Sequence, residues 1–193
     1  YAKCIAFEPN PTMFKILSKN KYPNCDDTLF YKAAAWKSDG KISFYEDKRS
    51  KYQWGSSLIK RPDMKDSQRV EITVDSIDIV KTIENIDSNA IVLKIDIEGA
   101  EYELVKHLLK NPNVFQKVQF VLIEWHGRYM PKDKGKEIIL ENKVKQLGIK
   151  IFKKPVVESS EQHEDPFYSG ILKTKKKCAI VSYISTTNFL DCI

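Results

Sequence analysis

Apolar residues along this chain fall into short runs of two kinds, continuous and periodic, with polar turns between them. Cys4 to Phe7 and Ala90 to Ile95 are runs without alternation. Such runs read as strands buried on both faces, as in parallel α/β sheets. Val118 to Glu124 reads as another core strand, and Thr28 to Ala35 as a strand near the start of the sheet. Lys41 to Glu46 and Val70 to Val74 alternate instead, as half-exposed strands do, with Ser38, Asp39 and Gly40 forming the turn before the first of them. Helical spacing appears at Met13, Ile16 and Leu17, and again at Tyr102, Val105, Leu108 and Leu109. A short helix is expected near Ser76 to Ile83. Lys134 to Leu147 reads as an amphipathic helix closed by Gly148. Ile149 to Phe152 and Phe167 to Lys173 read as closing strands around a polar loop at Glu158 to Asp165. Glu46 to Ser67 is polar, contains Pro62 and keeps no period, so it reads as a long loop of the sort that lines binding sites.

Alternating strands and helices of this kind predict an α/β fold with a mostly parallel sheet, whose ligands bind beyond the carboxyl ends of the strands. Two strand ends carry acids. Ala90 to Ile95 delivers Asp96 and Glu98 into a glycine turn at Gly99 that opens a helix. Cys4 to Phe7 delivers Glu8, after which Asn10 can cap a helix and Pro11 occupy its first turn. In nucleotide-binding α/β folds an acid in the position of Glu8 accepts hydrogen bonds from ribose hydroxyls, for which a carboxylate with two oxygens is suited. Helix capping is the competing role for both acids.

Four segments recur in an order found elsewhere: F-E-P-N-P at Phe7 to Pro11, A-A-A-W-K-S-D-G at Ala33 to Gly40, T-V-D at Thr73 to Asp75, and K-I-D-I-E-G-A-E at Lys94 to Glu101. Together they resemble the FkbM family of methyltransferases over residues 1–174. That resemblance implies a class I, Rossmann-like three-layer sandwich and S-adenosylmethionine as methyl donor. It also implies a hydroxyl of a sugar, glycan or related small molecule as acceptor. It makes Glu8 the ribose-binding acid and puts Ala34 and Ala35 where small side chains let an adenine ring approach. Asp75 is retained from the T-x-D segment, with capping of the next helix as its other role.

Class I methyltransferases place a first strand and a glycine-rich loop ahead of the strand that ends at Glu8. The chain opens within that second strand and contains no G-x-G. The domain is therefore expected to be incomplete at its N-terminus. Residues 175–193 are expected to be a linker and the first strand of a following domain. The run from Cys178 to Ile193 is similar to the opening strand and turn of a family 2 type glycosyltransferase, with an extra edge strand or a fraying tail as the other reading.

Methyl transfer is an in-line displacement, so the protein must align the acceptor and help remove a hydroxyl proton. Glu124 and His126 leave the strand neighbouring the one that ends at Asp96. His126 is the first choice as base, because imidazole titrates near neutral pH. Asp96 is its rival, or an anchor for the acceptor or the cofactor's amino group; Asp96 and Glu98 both count among the cofactor-binding candidates. Glu124 is placed with the acceptor, as are Trp54 and Arg49 of the long loop, where Lys48, Lys51, Lys60 and Arg61 add cations that can grip an acidic sugar. These acids and the imidazole could hold a divalent cation, but their spacing is not specific, and no metal is assigned.

Composition narrows the classes without choosing among them. A chain of 193 residues with 42% hydrophobic content can bury a substantial core, which excludes a wholly disordered protein. A net charge of +6 comes partly from Lys173 to Lys177 and establishes no nucleic-acid partner. No apolar run reaches the length of a membrane span. Cys4, Cys25, Cys178 and Cys192 lack C-x-x-C spacing, which argues against zinc or a disulfide framework and fits a reducing, cytoplasmic interior. Two further readings stay open: a non-catalytic interaction module that keeps the fold within a larger protein, and a nicotinamide-dependent dehydrogenase, which does not account for D-I-E-G-A-E.

Overall fold

The computed structural model describes residues 3–19, 27–49, 51, 53, 55–153 and 179–183. Among these, six strands form one sheet: β1 (Lys3–Phe7), β2 (Asp27–Tyr31), β6 (Ile91–Ile95), β7 (Val118–Ile123), β8 (Lys150–Lys153) and β9 (Ala179–Tyr183). Their order is β2-β1-β9-β6-β7-β8, and every neighbouring pair is parallel. All six strands therefore end on one edge, which is where Glu8, Asp96 and Glu124 emerge. A second, three-stranded sheet holds β3 (Ala34–Trp36), β5 (Arg69–Asp78) and β4 (Gly40–Asp47) in that order. β4 and β5 pair antiparallel, while β3 runs parallel to β5.

The expected strand from Thr28 to Ala35 is thus two strands in two sheets. β2 stays beside β1, and the chain leaves after Tyr31 so that Ala34 and Ala35 pair with Ser76 and Ile77. Both alanines are packed in the hydrophobic core that joins the sheets, with Ile5, Phe7, Phe44 and Val74. The alternating strand expected from Val70 to Val74 likewise continues to Asp78, which pushes the next helix, α2 (Ile79–Asn85), further along the chain. Asp78 caps that helix by accepting the N–H of Val80 at 2.9 Å. This is the role that Asp75 was to share.

The other helices follow their sequence signals. In α1 (Pro11–Leu17), the Asn10 side chain accepts the N–H groups of Thr12 and Met13, and Met13 and Leu17 form the buried stripe. α3 (Glu101–Leu109) buries Tyr102, Val105 and Leu108. α4 (Lys136–Gln146) packs on α3 and β8, begins after Gly135 at φ 88° and carries Lys143 and Lys145 in its last turn.

Residues 179–183 form β9, which lies between β1 and β6. Ile5 of β1 pairs with Val181, which also pairs with Leu93 of β6. β9 therefore stands between the strands ending at Glu8 and at Asp96. The expected strand at Phe167 to Lys173 lies outside the described residues. Cys4 is disulfide-bonded, and the other three cysteines all lie outside the described residues. The bond at Cys4 stands against the expectation that the spacing of the cysteines argues against disulfides. Among the described residues no helix is long and apolar enough to cross a membrane.

Candidate active site

β6 is buried along its whole length, including Lys94, and passes directly into the turn Asp96 to Ala100. Two consecutive residues of that turn have positive φ, Glu98 at 53° and Gly99 at 105°. Gly99 tolerates this for lack of a Cβ, whereas Glu98 is held there at a cost that surrounding contacts must offset. Glu101, the first residue of α3, supplies such contacts. Its carboxylate is fully buried and accepts the backbone N–H groups of Ile97 at 3.0 Å and Gly99 at 3.0 and 3.1 Å.

The end of β7 lies alongside, because the N–H of Glu124 still donates to the carbonyl of Ile95 at 3.0 Å. Trp125 points away and donates its Nε1–H to Glu141 of α4 at 2.8 Å. Glu124 and His126 flank it. His126 is 3% exposed, and its Nδ1 lies 2.8 Å from Glu101 Oε1. Its Nε2 is 3.5 Å from Glu98 Oε1, 3.8 Å from Glu124 Oε1 and 4.0 Å from Asp96 Oδ1. The site thus brings together Asp96, Glu98, Glu124 and His126, as expected, and adds Glu101.

This crowding sets the proton affinities. Burial raises the Asp96 carboxyl, Lys94 at 3.3 Å pulls it back, and the neighbouring acids push it up again. Burial likewise lifts Glu98 to about 7, against the pull of His126 and Arg61. For His126 burial works the other way, but the hydrogen bond and charge of Glu101, with Glu98 and Asp96, outweigh it and raise the imidazole to about 9. In the free protein His126 therefore carries a proton near neutral pH. The expectation of an imidazole that titrates near neutrality is corrected on this point.

Glu8, at the tip of β1, is 3% exposed, and burial lifts it to about 8 despite the 2.8 Å hydrogen bond that Oε1 accepts from the Asn10 N–H. Its other oxygen accepts no hydrogen bond among the described residues. Phe7, the residue before it, stacks on Tyr31 of β2 with ring centres 5.1 Å apart. With β9 between β1 and β6, Glu8 and Asp96 leave strands two positions apart, about 10 Å by ordinary strand spacing.

The loop that follows β4 reaches both ends. The Gln53 side chain accepts from Asn10 Nδ2, and Arg61 donates to Glu98 Oε2 at 3.0 Å. Arg61, 1% exposed, also forks onto Asp63 at 2.8 and 3.0 Å and lies 3.3 Å from the Tyr129 ring centre. Tyr129 in turn stacks on His126 at 5.7 Å. The Arg49 guanidinium is bound to Asp47, the last residue of β4, at 2.8 to 3.1 Å and lies 3.6 Å from Asp63. Trp54 lies outside the described residues. Asp75 sits on β5, exposed and paired with Lys41 at 2.7 Å.

Sequence reasoning gave no role to Glu101 or Tyr129 and named Arg61 only as a loop cation. A Glu at the start of a helix, two residues after a glycine turn, is the signal that points to Glu101 as a clamp on that turn. Nothing in the spacing singles out Arg61 from its neighbouring cations.

Acids and an imidazole gathered at the carboxyl ends of parallel strands define the class of α/β proteins that bind ligands at that edge. Within it, the profile of the methyltransferase FkbM domain matches residues 1–166, and the chain belongs to that family. It is similar to a hexuronic acid methyltransferase, AglP, of Haloferax volcanii, at 32% identity over 137 residues, 68% of this chain and 51% of the relative. The chain thus spans about half the length of the curated relative it matches. No solved structure matches it.

Proposed function

We propose that this chain carries the adenosine-binding and acceptor-side parts of an S-adenosylmethionine-dependent O-methyltransferase with a class I, Rossmann-like sheet. Its acceptor is a hydroxyl of a sugar, glycan or related small molecule. The observation that carries this reading is the pairing of two acidic strand ends on one edge: Glu8, buried with one oxygen lacking a donor among the described residues, and the group of Asp96, Glu98, Glu124 and His126. Family membership and the similarity to an enzyme named for a hexuronic acid support a sugar acceptor.

The residues present fit the adenosine half of the cofactor. A ribose diol would give Glu8 the donors it lacks and stabilise its ionised form, offsetting a burial that otherwise favours protonation. The cofactor supplies a methyl group activated on a sulfonium. Asp96 and His126 then face the acceptor oxygen, with Glu98 and Glu124 beside them. His126 is positioned to take the hydroxyl proton once positive charge has entered the cluster and relaxed the hold of the acids on its own proton. Arg61 fixes Glu98 and closes the loop over that side.

A second reading, a non-catalytic module that keeps the fold, is favoured by one observation: the chain contains no G-x-G to cradle the methionine half. Calorimetric titration of S-adenosylhomocysteine separates the two. It is made into the chain and into the chain extended upstream. Binding by either form, lost in Glu8→Gln, supports the enzyme; binding by neither favours the module.

A further inference from the structure

The ends of β6 and β7 hold an arrangement that adenosine binding does not require. One oxygen of Asp96, one of Glu124 and one nitrogen of His126 lie within 4.8 Å of one another. The structure also decides which nitrogen faces the acids. Nδ1 is engaged by Glu101, which is itself held by the N–H groups of Ile97 and Gly99, so Nε2 is the atom presented to Asp96 and Glu124. That imidazole is buried and aimed into the acids, yet Nε2 makes no hydrogen bond among the described residues. A histidine whose Nδ1 is engaged by a buried carboxylate while Nε2 faces the further carboxylates of Glu98, Glu124 and Asp96 has the usual setting of a ligating histidine.

We propose that Asp96, Glu124 and His126 bind a divalent cation of the Mg²⁺ or Mn²⁺ class, which displaces the Nε2 proton of His126 to solvent, with Glu101 as the residue that orients His126. The separations suit such an ion. Nε2 lies 3.8 and 4.0 Å from the two carboxylate oxygens. Ligands on bonds of about 2.1–2.2 Å stand about 3 Å apart when adjacent and about 4.3 Å apart when opposite. Small side-chain rotations therefore close the site. Two oxygens, one imidazole and no sulfur select a hard or borderline ion over a soft one. Lys94 lies against Oδ2 of Asp96, which leaves Oδ1 for the metal. Access is through Glu124, whose side chain is 33% exposed.

Three protein ligands leave coordination positions open. Adjacent oxygens of a sugar fill such positions, and the ion acidifies a bound hydroxyl, so proton removal no longer depends on the imidazole. That use of the ion rests on the function proposed above; the binding of the ion does not.

The test is titration of Mn²⁺ into the 193-residue chain, with free ion followed by electron paramagnetic resonance and nitrogen coupling read by its pulsed form. The expected result is one bound ion per chain with imidazole coupling. Its affinity should fall at least about tenfold in Glu124→Gln, and by a similar factor in Glu101→Gln, which removes no ligand. Circular dichroism confirms that each variant keeps the fold. No uptake at millimolar Mn²⁺, uptake without nitrogen coupling, or affinity unchanged in both variants overturns the proposal. S-adenosylhomocysteine titrated in parallel keeps the two readings apart. Cofactor binding without Mn²⁺ uptake overturns the ion alone, and Mn²⁺ uptake with no cofactor binding by either the chain or the chain extended upstream upholds the ion while counting against the methyltransferase.

Discussion

Glu8 and Asp96 occupy equivalent places, each the first acid after a buried parallel strand, yet their surroundings differ in kind. Among the described residues, Glu8 has one backbone donor and no cation beside it. Asp96 belongs to a crowd in which Glu98, Glu101 and Glu124 face His126, Lys94 and Arg61. Burial raises both carboxyls, but only the second is also pushed by like charges. A lone buried acid suits neutral hydroxyl donors, whereas a crowded one suits a cation. One fold edge thus carries two recognition chemistries, set by what surrounds the strand tip and not by the tip itself.

The strongest way to break this comparison is to remove the cation that serves only the crowded end. Arg61→Met leaves Glu98 and Asp63 without their shared partner. Losing one side of a buried pair costs about 3 kcal/mol or more. Urea denaturation should show that loss. Arg61→Lys should recover little of it, because an ammonium cannot fork onto Asp63 while reaching Glu98. A loss below about 1 kcal/mol would mean that the loop does not depend on Arg61.

Glu8→Gln should separate affinity from stability at the other end. Affinity for S-adenosylhomocysteine should drop by about 10- to 100-fold, as charge-assisted hydrogen bonds to the ribose are lost. Stability should move the opposite way. The folded protein raises Glu8 from 4.5 to about 8, so the wild type holds its proton more tightly folded than unfolded. That contribution is fully present below about pH 4.5 and is lost as pH rises through about 8. The melting temperature of Glu8→Gln relative to wild type should therefore climb between pH 5 and 8. A flat difference across that range would show that Glu8 is not buried as described.

How far the sequence could be read depends on whether each signal is local. The parallel strands, the helices and the acids at strand ends follow from runs, periods and caps within a few residues, as at Asn10 and at Asp96 to Gly99. Three features depend on partners far along the chain. Ala34 and Ala35 join the second sheet because β5 is there to pair with them. Arg61 enters the site through Glu98, 37 positions away. Residues 179–183 carry a strand pattern that fits any parallel sheet, and only pairing with β1 and β6, far along the chain, decides which one.

Gly99→Ala sharpens the contrast at the turn. A Cβ there would meet Met130 at 3.5 Å, an ordinary contact, so the cost is backbone strain at φ 105° and not a clash. A loss of about 1–2 kcal/mol is expected by thermal melting. Because Glu101 reads the Gly99 N–H, Mn²⁺ affinity should weaken as well. The turn after Glu8 contains no glycine, and Pro9→Ala there should leave Mn²⁺ affinity unchanged.

The smallest effect belongs to an acid that family resemblance singled out and the structure places elsewhere. Asp75 lies on β5 and pairs with Lys41 at 2.7 Å, both side chains being mostly exposed. Water screens such a pair, and two long side chains must be ordered to make it, so Asp75→Asn should cost less than about 0.5 kcal/mol. β5 pairs only within the three-stranded sheet, so cofactor and Mn²⁺ affinities should both stay at wild-type values. A loss of cofactor affinity in this variant would mean that the second sheet reaches the ligand. Recognition would then be shared between the sheets instead of being divided between the tips of β1 and β6.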